Sequence, residues 1–150
     1  MTRTMLTLAV GVAISVGGLT LAQTGHGHGK GPTVKTLSAV DVNEQLNGKP
    51  TRATTLEVTF EPGAASAPHR HPGPVFGYVL EGELEFQAGD APARRLKAGD
   101  TFYEPAMVLH AVSRNPSAKV RTRVLAVILH PRDARALVVP EPQEDGRHGR

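Results

Sequence analysis

Residues 63–82 read GAASAPHRHPGPVFGYVLEG, and this stretch decides how the chain folds and what it can bind. It places two histidines one residue apart, His69 and His71, in a segment of extended character. Successive side chains of a β-strand point to opposite faces, so residues two apart share a face. Two imidazoles on one face suit a divalent metal ion. A third histidine, His110, follows in a second patterned stretch, and the three together predict a metal site inside a β-barrel.

The composition indicates one turn-rich domain and narrows the chemistry. A chain of 150 residues fits a single domain, and its 16 glycines and 12 prolines suit a β fold better than a helical one. The net charge is +3, but the basic residues are scattered without interleaved aromatics, which argues against nucleic-acid binding. With no cysteine in the chain, thiolate ligands and disulfides are excluded. The remaining common metal ligands are His, Asp and Glu.

The first 22 residues have the pattern of a targeting segment. Arg3 precedes an apolar run over 5–19, and Thr20 and Ala22 supply small residues before a cleavage point. This pattern predicts a Sec-type signal peptide (1–22), export to the periplasm or medium, and no stable membrane insertion after cleavage. A retained anchor is the alternative. Residues 23–33 form a Gly-rich leader with His26 and His28, which is interpreted as a solvated linker or a weak metal-binding tract.

Short alternating segments recur along residues 34–131. They stand at intervals of about 8–12 residues with Gly and Pro turns between them, which is typical of an all-β sandwich or barrel. A turn-rich break is expected at 43–50, one helical turn at 133–137, and a partly disordered tail over 132–150. The predicted strands are 34–42, 51–61, 75–80, 83–87, 93–97, 101–104, 108–113 and 120–130.

Two spaced motifs in this pattern resemble those of the cupin superfamily. The matching positions are Gly63, His69, His71 and Gly82 for the first motif and Gly99, Pro105 and His110 for the second. The resemblance implies a single-domain, all-β, cupin-type double-stranded β-helix or jelly-roll barrel over residues 34–131. It also implies that the three histidines converge on one metal. Three positions depart from the pattern: Val75 replaces a metal-binding glutamate, Met107 replaces a glycine, and Asn115 stands one residue late.

The ligand set that this resemblance implies is three neutral imidazoles. Such donors suit Fe, Cu, Ni or Zn, whereas Mn and Mg prefer oxygen. The sequence is similar at this level to cupin oxygenases with a three-histidine iron centre. Without a protein carboxylate, the metal would keep its 2+ charge and favour an anionic, chelating substrate.

Further residues near the motifs carry expectations of their own. Glu104 is a candidate catalytic base or an orienting group for a ligand histidine if it points inward, and a solvent-facing carboxylate if it does not. Tyr103 should face the opposite way and pack in a core or interface. Phe76 and Tyr78 are expected in the barrel wall. His130 is expected to be a capping or surface residue rather than a fourth ligand.

Three classes of function remain open at this point. The first is a metal-dependent oxygenase acting on a small oxygenated molecule. The second is a non-catalytic module that binds a small ligand or a metal. The third is a metal-dependent isomerase or hydrolase, because cupin barrels host all three classes. A homodimer is expected, with 51–61 or the leader strand as the contact, because an open sheet edge must be covered.

Overall fold

The computed structural model describes residues 31–142, which form two antiparallel five-stranded sheets with no helix among them. The predicted signal peptide, His26, His28 and the last eight residues of the tail lie outside the described residues. No segment of 31–142 forms a helix that could cross a membrane. The strands are β1 (Thr33–Leu46), β2 (Lys49–Phe60), β3 (His69–Arg70), β4 (Val75–Glu81), β5 (Glu83–Ala88), β6 (Arg94–Lys97), β7 (Thr101–Glu104), β8 (His110–Arg114), β9 (Thr122–Pro131) and β10 (Val139–Pro140).

The core lies between the inner faces of the two sheets. One sheet has the order β1-β2-β9-β4-β7 and the other β10-β3-β8-β5-β6. Burial alternates with period 2 along β4 and β9, as expected for strands with one covered face. The buried apolar cluster draws on both sheets and includes Val75, Val79, Leu84, Phe86, Phe102 and Ile128. The predicted all-β fold is therefore confirmed, although the two sheets are not closed into a barrel.

Three features of the strand pattern differ from the prediction. The expected break at 43–50 is only the turn Asn47-Gly48, where φ is 52° and 73°. An Asn-Gly pair with positive φ makes a tight hairpin turn, so β1 continues to Leu46. The two-residue strands β3 and β10 are too short to show a period in the sequence. Residues 133–137 form turns and bends rather than a helical turn, and the tail then supplies β10, which pairs with β3.

The first strand forms the edge of its sheet. Most of β1 is exposed on both faces, including Val34, Leu37 and Val40. By contrast, β2 lies between β1 and β9, so both of its edges are already hydrogen-bonded. Two dimer contacts were predicted from the sequence. Residues 51–61 have no free edge for pairing with a second copy, whereas β1 has a free edge within the described chain.

Gly77 is the point on β4 where a side chain has no room. It pairs with Phe102 on β7, and a Cβ at this position would overlap the Phe102 ring. That ring also packs on Phe86, with 4.6 Å between ring centroids. We expect Gly77→Ala to lower the free energy of unfolding by about 1–3 kcal/mol, since overpacking forces core side chains to move.

Urea denaturation would measure this loss. Gly31→Ala is the matched control, because no atom lies within 4 Å of a Cβ built at Gly31. Its stability should stay within about 0.5 kcal/mol of the unsubstituted protein. Equal unfolding midpoints for the two variants would show that the Phe102 ring does not limit position 77.

Candidate metal centre

The pairing of β3 with β8 brings the three predicted histidines together. His69 opens β3 and pairs directly with His110, the first residue of β8. Directly paired residues of antiparallel strands share a face, and His71 lies two residues beyond His69. All three side chains are buried, and their candidate ligand nitrogens lie within 4.8 Å of one another. The three histidines can therefore form a metal site.

Backbone carbonyls fix the tautomers of two of these rings. The Nδ1 atom of His69 lies 2.8 Å from the Ala67 carbonyl, and that of His71 lies 2.7 Å from the Leu137 carbonyl. A carbonyl oxygen only accepts, so each Nδ1 donates and each neutral ring keeps a lone pair on Nε2. The two Nε2 atoms face each other at 3.2 Å. Burial lowers the pKa of His69, which favours its neutral form. Two facing lone pairs cannot bond to each other, whereas a cation beside both would satisfy them.

Glu104 completes this cluster from β7. Its carboxylate is buried, and Oε2 lies 3.2 Å from Nδ1 of His110 and 3.7 Å from Nε2 of His71. The inward-facing interpretation is the correct one, and the solvent-facing one is wrong. Within residues 31–142, the buried side-chain atoms without a hydrogen-bond partner are Oε2 of Glu104 and both ring nitrogens of His110. Buried polar atoms are rarely left unpaired. This donor set fits a divalent metal.

One of the three positions that depart from the cupin motif, position 75, lies beside Glu104. Val75 is buried on the inner face of β4 and is the direct cross-strand partner of Glu104. Thus β4 supplies no carboxylate here, but the neighbouring strand does.

An apolar cavity of about 340 Å³ opens onto the cluster. Its polar lining consists mainly of the three histidines, Glu104 and two serines, Ser66 and Ser113. A pocket of this kind holds a small molecule by its apolar body and orients it through a few polar contacts. The apolar lining includes Leu56, Val58, Phe60, Leu84, Val124 and Ile128.

Three aromatic side chains lie on the outer face of the sheet that contains β4 and β7. Phe76 and Tyr78 are 51% and 42% exposed, because alternation along β4 turns Val75, Gly77 and Val79 inward. Both therefore belong to a strand of the wall, as predicted, but on its outer face. Tyr103 does face away from Glu104, but it is exposed beside Phe76 instead of lying in a core.

His130 also differs from its prediction. It is buried at the end of the inner face of β9, so it is not a surface residue. Its Nε2 lies 2.9 Å from the hydroxyl of Thr54, and its Nδ1 lies 2.9 Å from the Pro131 carbonyl. Both ring nitrogens are thus engaged, which agrees with the expectation that His130 is not a fourth ligand.

Two supports of the site were not anticipated from the sequence. The C-terminal tail contacts the site at two points. The Leu137 carbonyl accepts a hydrogen bond from His71, and the Glu141 carboxylate binds the Arg70 guanidinium at 2.8 and 3.0 Å. Arg70 also donates to the carbonyl of Met107, whose own N–H donates to the carbonyl of His71. Met107 has φ of 59°, the left-handed conformation that the motif glycine adopts easily. The departure from the cupin motif at position 107 could have indicated the contact of Met107 from the sequence. The contacts of the tail leave no recognisable feature in the sequence.

Comparison with known proteins identifies the family. A model of the cupin domain matches residues 56–128. A cupin-like protein from Thermotoga maritima is 30% identical, with 66% of this chain and 69% of that chain aligned at a TM-score of 0.50. KdgF from Halomonas sp. is 27% identical, with 69% and 82% aligned at 0.50. An RmlC-like cupin from Shewanella frigidimarina is 25% identical, with 70% and 81% aligned at 0.51. No curated protein matches the sequence. The chain belongs to the cupin superfamily.

Proposed function

We propose that this cupin binds one divalent transition metal through His69, His71 and His110 and uses it to oxidise a small oxygenated organic molecule with O₂. The observation that carries the proposal is the pair of facing Nε2 atoms, whose lone pairs are fixed by two backbone hydrogen bonds. Ligand histidines are held in this way when the other ring nitrogen donates to a carbonyl.

The donor chemistry supports a redox-active metal. Imidazole nitrogens suit Fe, Cu, Ni or Zn, and of these iron, copper and nickel can exchange electrons. When bound, such a metal would supply the electron exchange with O₂ that organic molecules lack. The protein's own part is to direct the Nε2 lone pairs of His69 and His71 toward the metal, to bury the cluster, and to orient the substrate.

The pocket supports a small substrate with an apolar body and an oxygen-bearing head. The body would lie against the apolar side chains of the two sheets, and an enol, phenol or carboxylate oxygen would reach the histidine end. A hydrolase or isomerase needs a general acid or base that is free to meet its substrate. Among the described residues lining this pocket, Glu104 is the one carboxylate, and it lies against the histidines. This arrangement favours oxidation over hydrolysis.

A non-catalytic binding module is the second candidate. The same lack of a free acid or base, together with the apolar lining, would suit a protein that only retains its ligand. The two candidates differ in turnover, not in the ligand class.

We further propose that the protein acts outside the cytoplasm after removal of residues 1–22, and that two copies pair along β1. The N-terminal pattern supports export, and the free, partly apolar edge of β1 supports pairing. An intact mass beginning at Gln23 would support export, while sedimentation showing a monomer at all concentrations would overturn the dimer.

Oxygen uptake tests the proposed activity. We expect the mature protein (residues 23–150) loaded with Fe²⁺ to consume O₂ with one compound of an enol and phenol panel. The Zn²⁺-loaded protein is the matched control and should consume none, because Zn²⁺ has no redox chemistry. Tight retention of a compound with no turnover would favour the binding module. Conversion of a compound without O₂ would contradict the oxygenase and favour an isomerase or hydrolase.

A further inference from the structure

The carboxyl group of Glu104 is buried, and among the described residues no lysine or arginine forms an ion pair with it. Its side chain is 3% exposed, and in the described part of the chain the ring nitrogens of His71 and His110 are the nitrogen atoms of basic side chains within 4 Å of its carboxylate. Burying a carboxylate without a cation is costly, and in the apo protein the cost falls on this cluster. In its ionised form this carboxylate therefore needs a positive partner such as a metal ion.

Two roles are chemically available to a carboxylate beside a metal-binding histidine. It can accept a hydrogen bond from the far nitrogen of the ring and so orient it, or it can bind the metal itself. The first role requires a well-formed hydrogen bond. Although Oε2 lies 3.2 Å from Nδ1 of His110, both atoms remain without a hydrogen-bond partner. The geometry thus disfavours the orienting role.

The same oxygen lies close to a second histidine. Oε2 is 3.7 Å from Nε2 of His71, the atom that itself faces Nε2 of His69 at 3.2 Å. Ligands about 2.0–2.2 Å from one metal lie roughly 3–4 Å from each other. These distances from Oε2 to nitrogens of two different histidines are the spacing expected of a further ligand.

We propose that Glu104 is the fourth protein ligand, a carboxylate supplied by β7 instead of by position 75 on β4. Val75 and Glu104 are direct cross-strand partners on the inner face, so the exchange moves the carboxylate by one strand. The inference rests on the metal of the proposed function and deepens it. The site then has three imidazoles and one carboxylate. With a divalent metal bound, the metal and its protein ligands together carry a net charge of +1. This replaces the purely imidazole set expected from the sequence and improves the fit for oxygen-preferring metals such as Mn²⁺.

An exchange of the two cross-strand partners tests the proposal. Affinities for Zn²⁺ and Mn²⁺ are measured by competition with a chromophoric chelator. We expect Glu104→Val to weaken Zn²⁺ binding by about 10- to 100-fold or more and Mn²⁺ binding by a larger factor. Adding Val75→Glu should return the carboxylate from β4 and recover most of the lost affinity. Equal affinities in the original protein and in Glu104→Val would overturn the proposal.

Two controls separate ligation from folding and from the proposed function. Removing an unpaired buried charge should leave the melting temperature of the metal-free Glu104→Val variant unchanged or raised, so weak binding would not reflect unfolding. A crystal structure of the Zn²⁺ form should place Oε2 about 2.0–2.2 Å from the metal. A distance beyond about 3 Å, with Oε2 bonded to Nδ1 of His110, would show an orienting residue instead. Failure of the original protein to bind any metal would overturn the proposed function and this inference together, whereas intact binding by Glu104→Val would overturn the inference alone.

Discussion

Replacing His110 with alanine is expected to abolish stoichiometric metal binding while both sheets remain folded. The two nitrogens of this ring are buried and unpaired, so the side chain has no hydrogen bond to lose. Loss of residues that only support a ligand already costs 10- to 100-fold in affinity, so we expect a loss of about 100-fold or more for a ligand itself. Calorimetric titration with Zn²⁺ and far-UV circular dichroism would measure the two properties.

His130→Ala is the matched control for this experiment. His130 is equally buried on the inner side of the same fold, but its ring nitrogens bond to Thr54 and Pro131. This variant should keep its metal affinity and lose stability. Full affinity in His110→Ala, or loss of metal from His130→Ala alone, would contradict the assignment of the site.

Asn115→Ala is expected to cost about 2–4 kcal/mol of unfolding free energy, because it removes a buried side chain that hydrogen-bonds to four backbone groups. The Asn115 amide nitrogen lies 3.2 Å from the carbonyls of Phe60 and Glu61 and 2.8 Å from that of Val120. Its carbonyl oxygen accepts from the N–H of Ser117 at 2.9 Å. This one side chain therefore ties the end of β2 to the loop between β8 and β9.

Urea denaturation followed by circular dichroism would measure the loss. Asn43→Ala, at an exposed position of β1, removes the same side chain without a buried contact and should stay within about 0.5 kcal/mol. If the two variants unfolded at the same urea concentration, the network around Asn115 would not stabilise the fold.

Sequence periodicity predicted where most strands lie, β4 included, but it did not show which face points inward where the two faces look alike. On β4, Val75 and Val79 face the core while Phe76 and Tyr78 face outward, so apolar side chains occupy both faces and the pattern cannot tell them apart. The inward direction of Glu104 was open for a related reason, since aromatic residues stand on both faces of β7.

The motif spacing predicted the three histidines, but it did not predict the hydrogen bonds and strand pairings that position them. His69 and His71 were identifiable because the spacing is local, whereas the Leu137 carbonyl that fixes the His71 tautomer lies 66 residues away. That contact depends on β3 and β10, which are two residues long and leave no period in the sequence. Likewise, the pairing of position 75 with Glu104 depends on strand register, which no single segment encodes.

Elemental analysis would show whether the three histidines hold a metal: the mature protein is purified without chelators from its native compartment, beside a His69→Ala/His71→Ala variant. We expect about one equivalent of a divalent transition metal per chain and none in the variant. Iron, copper or nickel would agree with the proposed oxygenase. Equal metal content in the two samples, or no metal in either after attempted reconstitution, would contradict a metal centre at these histidines.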